Sequence, residues 1–87
     1  MACYELRWKR SAEKELRQLP REAIARLVAL AESLRENPFP QGSKKLAGTQ
    51  NAYRVRAGDY RLIYEVQGNE LIIYVIRLGH RREVYRD

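Results

Sequence analysis

The sequence has few of the residues that build covalent or metal-bound scaffolds. Its 87 residues include one cysteine, Cys3, and one histidine, His80. A single cysteine excludes an internal disulfide, as expected for a reducing compartment such as the cytoplasm. These two residues are also too few for a structural zinc site, which takes about four Cys or His ligands. We therefore expect no metal and no cofactor.

Long apolar runs are also missing. No stretch approaches the roughly 18 to 20 consecutive apolar residues of a membrane-spanning helix. The opening segment, MACYELRWKR, lacks the apolar core of a secretory signal. A chain of 87 residues is short enough to form one domain, which we place at 1–87. The expectation is a cytoplasmic, single-domain protein with no membrane segment.

Positive charge is what the sequence has in excess. Lysine and arginine number 17 against 11 acidic residues, for a net charge of +6 and a pI near 9.8. A small, strongly basic domain usually meets an anionic partner, most often nucleic acid. The alternative is a solvated surface that only keeps the protein soluble.

The first half of the chain predicts a short strand and two helices. YELRW, at the start, alternates as a strand does. Ser11 is a suitable N-cap for a helix over residues 12–19. Pro20 suits the first turn of a second helix, whose apolar residues recur at helical spacing until Asn37 and Pro38 end it. The segment from 39 to 50 is rich in Pro, Gly, Ser and Lys and predicts a loop.

The second half predicts three antiparallel strands joined by tight turns at Gly58–Asp59 and Gly68–Asn69. The strands are AYRVRA, DYRLIYEVQ and ELIIYVIRL. The third is apolar at nearly every position, as in a central strand covered on both faces. The elements together predict an α+β fold, with the N-terminal strand and helical hairpin packed on one face of an antiparallel β-meander.

Strand alternation predicts a cluster of polar side chains on the opposite face of this sheet. Alternate residues point to opposite faces, so the arginines of the meander emerge together when its apolar residues line the helix side. The segment after the last strand is expected to bring further polar groups to the same patch. The candidate catalytic set is Arg54, Arg56, Arg61, His80, Arg81 and Tyr85. The surrounding cations expected to bind RNA are Lys44, Lys45, Arg77 and Arg82.

Such a cluster suits cleavage of RNA without a metal. Guanidinium groups fit phosphate oxygens and stay charged at any usable pH. A base would take the proton of a 2′-OH, arginines would stabilise the charged phosphorane, and an acid would protonate the leaving 5′ oxygen. His80 can move protons near neutral pH, and Tyr85 can do so if neighbouring arginines lower its pKa.

The second half also resembles the RelE family of bacterial and archaeal toxins. KLAG, YRVRAGDYRLIYEV and IRLGHRREVYR carry the resemblance, which extends over the whole chain in element order. It implies a ribosome-dependent endoribonuclease that cuts mRNA in the A site. It also implies a co-transcribed, RelB-like antitoxin that silences the toxin by wrapping an acidic segment around it. The implied fold agrees with the predicted one.

The resemblance assigns roles to three residues. Arg61 matches the family arginine that holds the scissile phosphate, and Arg81 matches a second active-site arginine. Tyr85 matches the near-terminal aromatic residue of the family. Interpretations without a functional role stay open: Tyr85 packs on the sheet edge, and Lys44 and Lys45 are simply solvated.

Two positions depart from the family pattern. Arg54 and Arg56 stand where the best-known members carry lysines. A crowded lysine can lose its proton and act as a base, whereas arginine cannot at physiological pH. Either His80 is the base, or the chemistry relies chiefly on positioning and charge. Alternatively, His80 is an ordinary surface histidine, and Arg54 and Arg56 belong to a solvated strand face without a catalytic role.

Two other functions remain open. A ParE-like toxin of the same fold would inhibit DNA gyrase and cleave nothing, although ParE-type sequences generally lack the HRREVY ending. A degenerate toxin would only bind its antitoxin and repress its own operon.

Overall fold

The chain forms two helices and five strands within residues 3–80, the part that the computed structural model describes. In chain order they are β1 (Glu5–Trp8), α1 (Arg10–Arg17), α2 (Arg21–Ser33), β2 (Lys44–Lys45), β3 (Ala52–Ala57), β4 (Tyr60–Gln67) and β5 (Ile72–His80). Neither helix of this region is long and apolar enough to cross a membrane.

The strands form one sheet in the order β1-β5-β4-β3-β2. β3, β4 and β5 are consecutive antiparallel neighbours, as predicted. β1 pairs with β5 in parallel, so the N-terminal strand belongs to the sheet and the sheet is mixed. A parallel pair needs a long connection, which here begins with the helical hairpin. The predicted α+β class is confirmed.

The start of α1 differs from its prediction. The helix begins at Arg10 rather than at residue 12, so Ser11 is not its N-cap. Lys9 takes that position without a side-chain cap, in an extended conformation. Its N–H donates to the carbonyl oxygen of Val75 at 2.8 Å, and its own carbonyl accepts from the N–H of Glu13 at 3.0 Å. The chain therefore passes directly from the sheet into the helix.

The loop predicted from 39 to 50 contains a short strand, so this prediction was partly wrong. Lys44 and Lys45 pair with Arg54 and Tyr53 of β3. The pairing continues where the N–H of Leu46 donates to the carbonyl oxygen of Ala52 at 2.9 Å. Two residues are too few to show a period-2 pattern, which is why β2 could not be predicted from its own residues.

The core lies between the helices and one face of the sheet. Its buried residues are Ala12, Leu27, Ala31, Leu34, Val55, Leu62, Tyr64, Val66, Ile73, Val75 and Leu78. Burying a large apolar side chain stabilises a fold by about 1.5–3 kcal/mol. Tyr64 is fully buried, and its hydroxyl donates to the carbonyl oxygen of Pro38 at 2.7 Å. Burial raises the pKa of Tyr64 to about 12.

A register shift between β4 and β5 decides which residues of β5 face the core. Ile63 pairs with Arg77, but the next residue, Tyr64, pairs with Val75. Ile76 is therefore an extra residue on β5, as in a β-bulge. Because of this insertion, Val75 and Leu78 both reach the core although they are three positions apart, and Arg77 faces the other way.

Candidate nucleic-acid interface

The face of the sheet away from the helices, called the open face below, carries a cluster of cations. Val55, Leu62 and Tyr64 belong to the core, so the residues alternating with them point to the open face. The register sets Lys44 opposite Arg54, and it sets Arg56 opposite Arg61. These four side chains come from β2, β3 and β4.

The four cations surround one cavity of about 250 Å³, called the arginine cleft below. Its lining residues are Gly42, Lys44, Arg54, Arg56 and Arg61. Gly42 has φ +93°, a conformation that residues with a side chain rarely adopt. The turn before β2 can therefore form one wall of the cleft.

Both cross-strand pairs in the cleft place like charges opposite each other. Directly opposed like charges destabilise an antiparallel pair by roughly 0.2–1 kcal/mol. Lys44 faces Arg54, and Arg56 faces Arg61, so the repulsion occurs twice within one cavity. An anion between these groups would turn the repulsion into attraction. Cations grouped in this way are suited to binding a phosphate.

Arg61 has a special place among these cations. It is 8% exposed, and it is the only buried charged residue in the region 3–80. Arg54 is half-buried, whereas Lys44 and Arg56 are exposed. Taking a charge out of water is costly, and a dry site also strengthens its attraction for an opposite charge. Arg61 is therefore the cation of the cleft that water screens least.

Arg77 extends the basic surface beyond the cleft. It pairs with Ile63, which pairs with Arg54, so the two arginines share the open face on either side of a buried isoleucine. Its Nε lies 3.7 Å from Oε2 of Glu15 on α1. The register places Arg77 on the same face as the arginines, while its predicted binding of RNA stays a prediction. The carboxylate beside it was not predicted.

Lys45 lies on the other face. It pairs with Tyr53, whose ring stacks on Tyr64 of the core with 6.0 Å between centroids. Opposed residues of an antiparallel pair share a face, so Lys45 points away from the arginine cleft. The structure thus separates the two lysines that the sequence grouped together.

His80 also differs from its expected place. It pairs with Tyr60, and the two rings meet edge to face at 5.8 Å. The neighbouring pair on the same face is Leu62 with Leu78, both buried in the core. His80 therefore shares the helix-side face, while Gly79 is the residue opposite Arg61. Arg81, Arg82 and Tyr85 fall outside the described residues.

A second and larger cavity lies toward the other end of the open face. It has a volume of about 460 Å³ and is lined by Arg7, Trp8, Gln67, Ile72 and Tyr74. The guanidinium of Arg7 is bound to the carboxylate of Glu5 at 2.7 Å. This pairing raises the pKa of Arg7 and lowers that of Glu5. The charge of Arg7 is therefore balanced by a neighbour on the same strand.

Comparison with known proteins identifies the family. The family model for the ParE toxin of type II toxin–antitoxin systems matches residues 6–85. Toxin RelG of Mycobacterium tuberculosis is 32% identical over 87 residues, covering 95% of this chain and 97% of the relative. Toxin RelE3 of Methanocaldococcus jannaschii is 32% identical over 76 residues, covering 83% and 84%. The chain belongs to the RelE/ParE family of type II toxins.

Solved structures of RelE proteins have the same fold. The archaeal RelE–RelB complex from Pyrococcus horikoshii matches with a TM-score of 0.80 and 31% identity, covering 91% of this chain and 96% of that one. The isolated Escherichia coli RelE toxin matches with a TM-score of 0.79 and 30% identity, covering 94% and 90%. The RelE resemblance of the sequence motifs is confirmed.

Two contributors to this surface were missed by sequence reasoning. Gly42 forms part of the cleft wall, and Gln41-Gly42 in the loop was the only available signal. Glu15 contacts β5 from α1. Nothing in its helical neighbourhood distinguishes it from an ordinary exposed glutamate.

Proposed function

We propose that this RelE/ParE-family toxin is an endoribonuclease that cuts mRNA on the ribosome. The observation that carries the proposal is the arginine cleft, where two like-charged pairs surround about 250 Å³. A phosphate group fits that volume and relieves the repulsion. The RelE names of the relatives support the same activity.

The proposed reaction is attack of a 2′-OH on the adjacent phosphate. The 2′ oxygen forms a bond to phosphorus as a base takes its proton, and the bond to the 5′ oxygen breaks as an acid supplies a proton. Arg61 would hold a non-bridging oxygen of the phosphate. Arg54 and Arg56 would stabilise the negative charge of the phosphorane, the kind of contribution that typically dominates such reactions.

The base must be a group other than the arginines of the cleft. Arginines keep their protons, so none of the three in the cleft can serve. His80 remains the candidate from sequence, although its strand position puts it on the helix-side face. If His80 is the base, His80→Gln should remove most of the activity. Unchanged activity would leave positioning and charge as the source of catalysis.

We infer that the toxin has three macromolecular partners: mRNA, the ribosome and an antitoxin. Lys44 and Arg77 would contact RNA beside the cleft, and Arg82 would extend that contact. An antitoxin is supported by the structures of related toxins, several of which are RelE–RelB complexes. An acidic antitoxin segment laid over the arginine cleft would neutralise the site. Such a protein would act in the cytoplasm.

A second candidate function is inhibition of DNA gyrase. The matching family model is described as the ParE toxin, and it spans residues 6–85. A gyrase inhibitor needs a binding surface but no group that transfers a proton. The cleft fits nuclease activity better, because its four cations surround a volume suited to one phosphate group.

Two parallel assays separate these functions. The purified toxin is added to a cell-free translation reaction, and the 3′ ends of the mRNA are mapped. In parallel, it is added to gyrase acting on relaxed plasmid. Cuts restricted to ribosome-occupied codons, with unchanged supercoiling, support the nuclease. Intact mRNA with blocked supercoiling would reject it in favour of a gyrase inhibitor.

A further inference from the structure

Glu15 is the one carboxylate among residues 3–80 that the structure shows bonded to β5. Its Oε1 accepts a hydrogen bond from the backbone N–H of Leu78 at 3.0 Å. Its Oε2 lies 3.7 Å from Nε of Arg77, within ion-pair distance. The two oxygens of a single side chain therefore contact two consecutive residues of the strand.

The first contact completes the edge of the sheet. β1 runs beside β5 only as far as the pair of Trp8 and Val75. Beyond that pair the chain turns into α1, and within residues 3–80 no other strand flanks this edge of β5. The N–H of Leu78 would lack a backbone acceptor there. Glu15 supplies an acceptor, so the N–H of Leu78 is hydrogen-bonded although no strand of residues 3–80 lies beside it on this edge.

The second contact places the carboxylate of Glu15 beside Arg77, which is proposed above to contact RNA. Arg77 shares the open face with Arg54, and its side chain is 50% exposed. Glu15 is 33% exposed, so water and ions reach this pair. A pair of this kind is weak and can be exchanged for another anion. A phosphate of RNA that binds Arg77 therefore competes with Glu15 for the guanidinium.

We propose that Glu15 is a positioning residue that competes with RNA for Arg77. It holds the guanidinium toward α1 in the free protein and releases it when a phosphate arrives at the edge of the arginine cleft. Glu15 thereby sets how much Arg77 contributes to RNA affinity. The proposal rests on the RNA-cutting function proposed above.

The test is the affinity for a short single-stranded RNA whose 2′-O-methyl groups prevent cleavage. Glu15→Gln keeps an oxygen that can accept from Leu78 but loses the charge that holds Arg77. We expect RNA to bind about two- to fivefold more tightly. We also expect one more phosphate contact, seen as a salt slope steeper by about 0.7.

Two controls make the result specific. Glu13→Gln removes the same charge from an exposed position of the same helix, so it measures the general effect of net charge. In an Arg77→Ala background, Glu15→Gln should no longer tighten binding. Equal gains from Glu13→Gln and Glu15→Gln, or a gain that survives Arg77→Ala, would overturn the proposal.

Hydrogen exchange at the Leu78 amide tests the first contact without RNA. The amide should be protected in the natural protein and in Glu15→Gln, and should exchange faster in Glu15→Ala. Equal protection in all three would show that Glu15 does not hold this edge. If the natural protein bound no RNA, the proposed function would fail together with the competition, while the exchange result would still decide the contact.

Discussion

The two faces of the sheet are built by alternate residues of the same strands, yet they have opposite properties. In β4, Leu62 and Tyr64 are fully buried against the helices. Arg61 of the same strand lines the arginine cleft with a charged side chain. Apolar packing on the helix-side face stabilises the fold. The open face contains two pairs of opposed like charges, which repel each other unless an anion lies between them. Most of the core packing therefore lies on one face of these strands, and the candidate site lies on the other.

Truncating two neighbouring residues of β4 tests the difference between the two faces. Leu62→Ala should lower the free energy of unfolding by about 2–5 kcal/mol, because it leaves a cavity in the core. Arg61→Ala should change the free energy of unfolding by less than about 1 kcal/mol. The substitution removes the repulsion between Arg61 and Arg56, which offsets the loss of the side chain. Chemical denaturation measures both. Equal losses would mean that Arg61 is a structural residue and that the faces are not separate.

Tyr64→Phe tests the polar contact of the helix-side face. Loss of the hydrogen bond to Pro38 should cost about 1 kcal/mol. The raised pKa of Tyr64, about 12, means that the unfolded chain loses this proton first as pH rises. Stability from this group is complete below pH 10 and declines between pH 10 and 12. Denaturation at several pH values should show a smaller alkaline decline in Tyr64→Phe; an identical decline would refute the assignment.

Arg56→Gln probes the cost of the open face. Removing the charge opposite Arg61 should raise the free energy of unfolding by roughly 0.2–1 kcal/mol and weaken RNA binding. The gain in stability should shrink as salt is added, because ions screen the repulsion. Thermal or chemical unfolding at low and high salt provides the measurement. A destabilised variant would show that the opposed arginines are not in net repulsion.

Lys44 and Lys45 provide the smallest and most closely matched comparison. They are adjacent in β2 but point to opposite faces. Lys44→Ala should weaken binding of the 2′-O-methyl RNA several-fold and reduce the salt slope by about 0.7. Lys45→Ala should have a distinctly smaller effect on both. Equal effects would place the RNA across both faces of the sheet edge.

Much of this arrangement could be predicted from the sequence, because alternation is a local signal. The period of two in the meander strands places Arg54, Arg56 and Arg61 on one face once the apolar residues are assigned to the other. The Gly-Asp and Gly-Asn turns fix the antiparallel order of these strands. The family motifs led to the same fold, which the comparisons confirm.

The features that were missed depend on contacts between distant segments. The parallel pairing of β1 with β5 has no local pattern, and the two residues of β2 are too few to show one. His80 was expected beside the arginines, but β5 continues to His80 and alternation sets it opposite Tyr60. The bulge at Ile76 decides the direction of Arg77, and it follows from pairing with β4.

Arg61→Ala in a cell-free translation reaction tests whether the arginine cleft cuts mRNA. The control is Arg17→Ala, which removes one exposed charge from α1 and lies outside the cleft. We predict that the natural protein and Arg17→Ala cut at ribosome-occupied codons at similar rates. Arg61→Ala, folded to the same extent, should cut at least about 100-fold more slowly. Undiminished cleavage by Arg61→Ala would contradict the account.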